Sequence, residues 1–135
     1  MKKKFDKGTI QAISLFEDKT GVEVIDCVQD EDSAYFLVEP GKAGLAIGKN
    51  GDKIKNIGKM LNKRIKVFEY HEENEKELVK NMIMKSKNVN IEGDTAYVEV
   101  EKSDRGRVIG SNGSNIKKIR TLLKRNSEIK NLKLK

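Results

Sequence analysis

An internal repeat with a period of 62 residues constrains the fold more strongly than any other feature of this sequence. When residues 34–63 are aligned without a gap with residues 96–125, 13 of the 30 positions are identical. Most of the identical residues are glycines or apolar residues, whose positions are restricted by backbone geometry and by burial. The repeat therefore predicts two copies of one structural unit, and a chain of 135 residues has room for two very small domains.

Each copy is predicted to have the element order α-β-β-α-α-β, from the spacing of its apolar residues and from its turn residues. The fold class is therefore α+β. In the first copy the predicted helices span residues 9–19, a short stretch ending near 47, and 52–61, and the strands span 22–28, 33–39 and 64–70. In the second copy the helices span 73–84, 105–109 and 114–124, and the strands span 89–92, 95–101 and 129–134.

Single residues indicate where these elements end and which of their faces are buried. Thr9 is the predicted N-cap of the first helix, and Gly21 is its predicted stop. The residues expected to face the core are apolar and recur at helical or strand spacing: Ile10, Ile13 and Phe16; Ala34, Phe36 and Val38; and Ile54, Ile57 and Leu61.

A short loop with a glycine at each end lies between the last two helices of each copy. The first loop is Gly48-Lys49-Asn50-Gly51, and the second loop is Gly110-Ser111-Asn112-Gly113. Glycines allow a sharp turn and let a sugar-phosphate chain lie directly on the backbone. Free N–H groups at the start of the following helix then point toward a phosphate, so both loops are candidate anion-binding sites.

Two such loops in this element order resemble the KH family of RNA-binding domains, whose GXXG loop clamps about four single-stranded nucleotides. The element order is similar to the type II variant, which implies two tandem domains, each with a three-stranded sheet covered by helices on one face. The domains are expected at residues 1–71 and 72–135. Together they resemble the archaeal NusA-like family of transcription factors, which implies a role in elongation, termination or antitermination.

The resemblance also implies which residues contact RNA. Besides the eight residues of the two loops, the expected contacts are nearby basic side chains: Lys53, Lys55, Arg107, Lys117 and Lys118. Candidates for the floor of a base-binding groove are the isoleucines beside each loop, for which core packing is the alternative role: Ile47, Ile54, Ile109 and Ile116. Because Ser111 stands where the first loop has Lys49, we expect the first loop to contribute more electrostatic affinity.

The distribution of charge supports an RNA partner more specifically than the net charge does. A net charge of +7 is compatible with nucleic acid, an acidic protein surface or anionic lipid. However, residues 42–66 and 105–125 together contain 15 of the 28 basic residues and only one of the 21 acidic residues. Because these segments flank the two loops, an electrostatic site for phosphates explains the pattern better than two solvated helix faces do.

Other functional classes have little support in the sequence. The single cysteine, Cys27, and the single histidine, His71, cannot supply the ligands of a structural zinc site or an intramolecular disulfide. Neither a Walker loop nor a dinucleotide-binding glycine pattern is present, and no catalytic constellation is apparent. We therefore expect a cytoplasmic protein that is not an enzyme, without cofactor, metal or membrane partner.

The sequence leaves three alternatives open for the partners of this chain. Beyond single-stranded RNA, a transcription factor would meet RNA polymerase, whereas a ribosome-associated or ribosome-assembly factor would bind ribosomal particles. A third alternative is a protein-interaction adaptor whose KH folds do not bind RNA. Acidic or bulky residues in the loops would favour the adaptor, and neither loop contains them.

Overall fold

The computed structural model describes residues 4–135, and their contacts divide into two units, one ending at Tyr70 and the other beginning at His71. The first unit contains, in order, α1 (Lys7–Thr20), β1 (Val24–Gln29), β2 (Ser33–Val38), α2 (Ala43–Ile47), α3 (Asp52–Leu61) and β3 (Arg64–Glu69). The second unit contains α4 (Glu75–Met82), β4 (Ser86–Glu92), β5 (Thr95–Val100), α5 (Arg105–Ile109), α6 (Ser114–Asn126) and β6 (Asn131–Leu134). The predicted order α-β-β-α-α-β is thus confirmed in both.

Each unit has a three-stranded sheet with the same topology. The strand order is β1-β2-β3 in the first unit and β4-β5-β6 in the second. The first two strands of each sheet are antiparallel and the last two are parallel. A parallel pair needs a crossover connection, and the two helices and the loop between them provide it in each unit. The loop is therefore held by the crossover of the fold.

The core of the first unit lies between one face of the sheet and the three helices. Ala34, Phe36 and Val38 alternate along β2, and all three are fully buried, as predicted. Phe36 stacks on Phe16 of α1 with ring centroids 4.3 Å apart. Ala46 of α2 and Ile57 of α3 complete the same cluster. This packing fixes α2 and α3, and hence the ends of the first loop.

The start of α1 differs from the prediction. Asp6, not Thr9, is the N-cap, because the Asp6 Oδ1 accepts a hydrogen bond of 2.7 Å from the Thr9 backbone N–H. Hydrogen bonds from the backbone and the side chain of Thr9 lower the pKa of the Asp6 carboxyl. Ile10 lies on the outer side of the helix, where it is 52% exposed, whereas Phe16 is buried as predicted, together with Thr9 and Ala12. The predicted stop at Gly21 is confirmed, with φ of 70°.

Candidate nucleic-acid interface

The two loops have nearly the same backbone. In the first loop Gly48 has φ 81° and ψ 172°, and Gly51 has φ 73° and ψ 16°. In the second loop Gly110 has φ 78° and ψ 173°, and Gly113 has φ 75° and ψ 15°. The asparagines at the third position are also left-handed, with φ of 57° and 55°. The repeat found in the sequence is therefore also a repeat of loop geometry.

In each unit, a side chain from the helix after the loop donates a hydrogen bond to the short helix before the loop. The Lys53 Nζ donates a hydrogen bond of 3.1 Å to the Leu45 carbonyl oxygen. Asn115, which is equivalent to Lys53 in the repeat, donates from its Nδ2 to the Arg107 carbonyl oxygen at 2.9 Å. The predicted RNA contact Lys53 thus lies beside the first loop, and its ammonium group also bonds to the backbone of α2.

The positions of the Lys53 and Asn115 side chains explain why the first residue of each loop is a glycine. A Cβ on Gly48 would lie 2.8 Å from the Lys53 Cγ, and a Cβ on Gly110 would lie 2.6 Å from the Asn115 Cγ. No real Cβ is tolerated at such distances. Both glycines also combine a positive φ with ψ near 180°, a conformation that is essentially restricted to glycine.

The helices that follow the loops begin without a side-chain cap. Gly51 precedes α3 and Gly113 precedes α6, and neither helix has a side-chain hydrogen bond at its N-terminus. Backbone N–H groups in the first turn of a helix have no intrahelical partner, and the helix dipole makes this end positive. Asp52 places one carboxylate in the first turn of α3, whereas α6 has no acid there.

Most of the predicted basic contacts surround the loops on the surface. Lys49 in the first loop and Arg107 before the second loop are both exposed. Lys55 and Lys117 occupy equivalent positions and are also exposed. Their Cε atoms lie 3.8 and 3.7 Å from where a Cβ would stand on the second glycine of the respective loop. Each loop therefore has a lysine stem beside its second glycine.

Lys118 is placed differently from the prediction. It is only 5% exposed, and its Nζ donates a hydrogen bond of 3.0 Å to the Ser114 carbonyl oxygen. The side chain lies along the buried side of α6 because residues 116, 119, 122 and 123 of the same helix are also buried. Lys118 therefore stabilises α6 through this hydrogen bond, and we do not propose it as an RNA contact.

The four isoleucines beside the loops differ in exposure. Ile47, Ile54 and Ile109 are partly buried, whereas Ile116 is only 5% exposed. Ile116 therefore fits the alternative role of core packing. Ile54 lines an open groove of about 760 Å³ in the first unit, between α3 and the start of β3.

This cavity, called the first groove below, has an apolar floor and charged walls. The helix side is formed by Ile54, Lys55, Gly58 and Lys59. The strand side is formed by Asn62, Lys63, Arg64 and Ile65, and the turn between β1 and β2 adds Glu31 and Asp32. Apolar and charged side chains therefore line the same groove.

Sequence reasoning missed three groups of this lining as site residues. Lys59, Lys63 and Arg64 count only as basic charge in the sequence, because their position on the groove depends on how closely β3 returns along α3. Asn62 ends α3 with φ 56°, so the chain turns directly into β3 and brings these side chains to the groove. The asparagine after the last apolar helical residue is the signal that predicts such a stop.

Within residues 4–135, no helix is long and apolar enough to cross a membrane. Within the same range, no group of three or more histidine, cysteine or acidic side chains is arranged to hold a metal ion.

Comparisons with known proteins agree with this architecture. The sequence pattern of the KH domain family matches residues 11–92 and 69–134. A "Probable transcription termination protein NusA" from Methanococcus vannielii is 34% identical over 99% of this chain and 80% of its own length. A relative of the same name from Halococcus morrhuae is 34% identical over 93% of each chain. The crystal structure of APE1850 matches with a TM-score of 0.71 at 32% identity, covering 93% of this chain and 96% of that one.

Proposed function

The chain belongs to the archaeal NusA-like family of KH-domain proteins, and from that premise we propose that it binds single-stranded RNA through both of its loops. Each loop would hold a stretch of the sugar-phosphate backbone. No residue of the chain is assigned a catalytic step in this function.

One observation carries this function: the two loops have the same left-handed backbone, and each leads into a helix without a side-chain cap. The N–H groups of Gly51 and Asp52 donate within the first loop, and those of Gly113 and Ser114 do so in the second. The remaining N–H groups of the first helical turn would donate to a phosphate, and the helix dipole adds a favourable field. The glycines keep side chains away from this surface, so a backbone can approach closely.

Exposed cations supply the remaining affinity. Lys49 and Lys55 flank the first loop, and Arg107 and Lys117 flank the second. Contacts of this kind hold the strand by charge and are weakened by salt, whereas base edges and faces confer sequence preference. The partly buried Ile47 and Ile54 of the first unit are apolar surfaces on which bases would rest.

The physiological setting that we propose is transcription. Relatives over nearly the whole length of this chain are named as transcription termination proteins. We therefore assign this chain to the control of elongation, termination or antitermination, by binding the nascent transcript near RNA polymerase. Co-purification with RNA polymerase is the expected outcome of a pull-down from the source cells, and co-sedimentation with ribosomal particles instead would favour a ribosome-associated role.

The test is a comparison of RNA affinity between the wild type and a variant with an acid in each loop. Lys49→Asp combined with Ser111→Asp places a carboxylate where each phosphate would bind, so the affinity for a pool of short single-stranded RNAs is expected to fall at least about a hundredfold. Both residues are exposed, and the variant is expected to stay folded by circular dichroism.

A matched control separates the loops from general charge. Ser14→Asp combined with Lys85→Asp makes the same change in net charge at exposed positions, one in each unit, outside both loops. This control is expected to lose only a small part of the affinity. Equal losses in the two double variants would contradict the loop proposal, and no binding of the wild type to any RNA in the pool would favour the adaptor function.

A further inference from the structure

Position 58 is a glycine in the first unit and its equivalent in the repeat, position 120, is an arginine in the second, and we propose that this difference decides which unit binds a base. Gly58 leaves the first groove open to a base, whereas Arg120 covers the equivalent place in the second unit. The second unit would then hold RNA by its backbone alone. This inference rests on the proposed function and adds to it a division of labour between the two units.

The two residues are equivalent by sequence and by structure. Position 58 aligns with position 120 across the 62-residue repeat. Each residue faces the first residues of the last strand of its unit. In the first sheet Ala34 pairs with Ile65, and in the second sheet the equivalent Ala96 pairs with Leu132. Ile65 and Leu132 therefore occupy the same place opposite the helix.

In the first unit Gly58 has no side chain beside the groove, and the strand approaches its backbone closely. A Cβ at this position would lie 2.9 Å from the Lys63 carbonyl oxygen and 3.6 Å from the Ile65 Cγ1. Gly58 lies inside α3, where a glycine weakens the helix relative to alanine. The close approach of the strand explains why glycine is used there. Gly58 and Ile65 both line the cavity of about 760 Å³.

In the second unit the side chain of Arg120 extends from α6 to β6 across the same place. Its Nε and Nη2 donate hydrogen bonds of 3.2 and 2.9 Å to the Leu132 carbonyl oxygen. A base entering here would displace a planar, charged group and would leave that carbonyl without its two donors. Entry is therefore less favourable than in the first groove, where no such bond has to be broken.

Arg120 has one competing role, as a further phosphate contact. A cation that binds phosphate raises the affinity for any strand, with or without bases. A side chain that blocks a base-binding groove instead affects only strands that have bases. The two roles therefore predict opposite results when RNA is compared with an abasic strand of the same length.

The test uses the full chain with one loop inactivated at a time, and the probe is a short single-stranded RNA pool beside its abasic counterpart. With Ser111→Asp only the first unit acts, and RNA is expected to bind about tenfold tighter than the abasic strand, in line with the stacking of one base. With Lys49→Asp only the second unit acts, and the two strands are expected to bind equally.

Removing Arg120 then gives the decisive comparison. Arg120→Ala in the Lys49→Asp background is expected to raise the preference for RNA over the abasic strand about tenfold, because the groove becomes open. Lys124→Ala, one turn further along α6, removes the same charge from an exposed position and is expected to leave that preference unchanged. Alanine is compatible with the helix, and thermal unfolding checks that both variants are folded.

Three outcomes would overturn the inference. One is a strong preference for RNA in the Lys49→Asp background while Arg120 is still present. Another is an unchanged preference after Arg120→Ala, and a third is an equal loss of affinity for both strands, which would identify Arg120 as a phosphate contact. Failure of the proposed function looks different, because the wild type would then bind neither strand.

Discussion

At the scale of single residues, the two glycines of each loop have different roles. Gly48 is required both by its conformation, with φ 81° and ψ 172°, and by the Lys53 side chain that packs against it. Gly51 has only a left-handed conformation, which asparagine also adopts, as Asn50 does next to it. The nearest side-chain atom to a Cβ on Gly51 would be 3.8 Å away, an ordinary contact.

This difference predicts unequal effects of substitution on stability. Gly48→Ala is expected to lower the free energy of unfolding by about 1–3 kcal/mol, since alanine is strained in this conformation and its Cβ would collide with the Lys53 stem. Gly51→Asn is expected to lower it by less than about 1 kcal/mol. Urea unfolding measures both, and equal losses would contradict the geometry described for the first loop.

The first loop has Lys49 where the second loop has Ser111. This difference predicts that the two positions contribute differently to the salt dependence of RNA binding. Lys49→Ala removes an exposed cation, so the slope of log affinity against log salt for single-stranded RNA is expected to fall by about 0.7. Ser111→Ala removes no charge and is expected to leave the slope unchanged. Fluorescence anisotropy across a salt series gives both slopes, and the same slope for both variants would show that Lys49 does not contact a phosphate.

At the scale of helices and strands, the sequence predicts most elements because apolar spacing and turn residues act locally. α2, α3 and α5 have the expected ends, whereas α6 continues to Asn126, two residues beyond its predicted end. The predicted cap of α1 is wrong because Asp6 and Thr9 are both good N-caps, and the helix begins at the earlier of the two. Burial of Lys118 was also not predictable, since it depends on packing around α6.

The central strand β2 gives a prediction for alkaline pH. Burial raises the pKa of Tyr35 to about 12, and the negative charge of Asp30 acts in the same direction against the opposing charge of Arg64. An unfolded tyrosine ionises near 10, so the unfolded state loses this proton first and stability falls as the pH rises from about 10 to 12.

The measurement compares the wild type with Tyr35→Phe in urea unfolding at pH 9 to 11.5. The wild type is expected to lose more stability over this range than Tyr35→Phe, because the variant has no phenol to ionise at this position. The ring contact of Tyr35 with Phe68, with centroids 5.4 Å apart, remains possible for phenylalanine. An identical pH dependence in the two proteins would mean that Tyr35 ionises normally in the folded state.

At the scale of the whole chain, the repeat predicts the two units, their common topology and the positions of both loops. The repeat does not predict how the two copies differ in structure. In the second unit α6 has 13 residues against 10 in α3, and four residues rather than two connect the helix to the last strand, so the gapless alignment loses register there. The groove forms where these segments meet, and Lys59, Lys63, Gly58 and Arg120 therefore acquire their roles only in three dimensions.

The most direct test of RNA binding by both loops is to follow backbone amide signals of the full chain by nuclear magnetic resonance during titration with a short single-stranded RNA. The largest shifts are expected at residues 48–53 and 110–115, because N–H groups there would meet the phosphates. Shifts confined to other surfaces, or confined to one loop at saturation, would contradict the account of two RNA-binding loops.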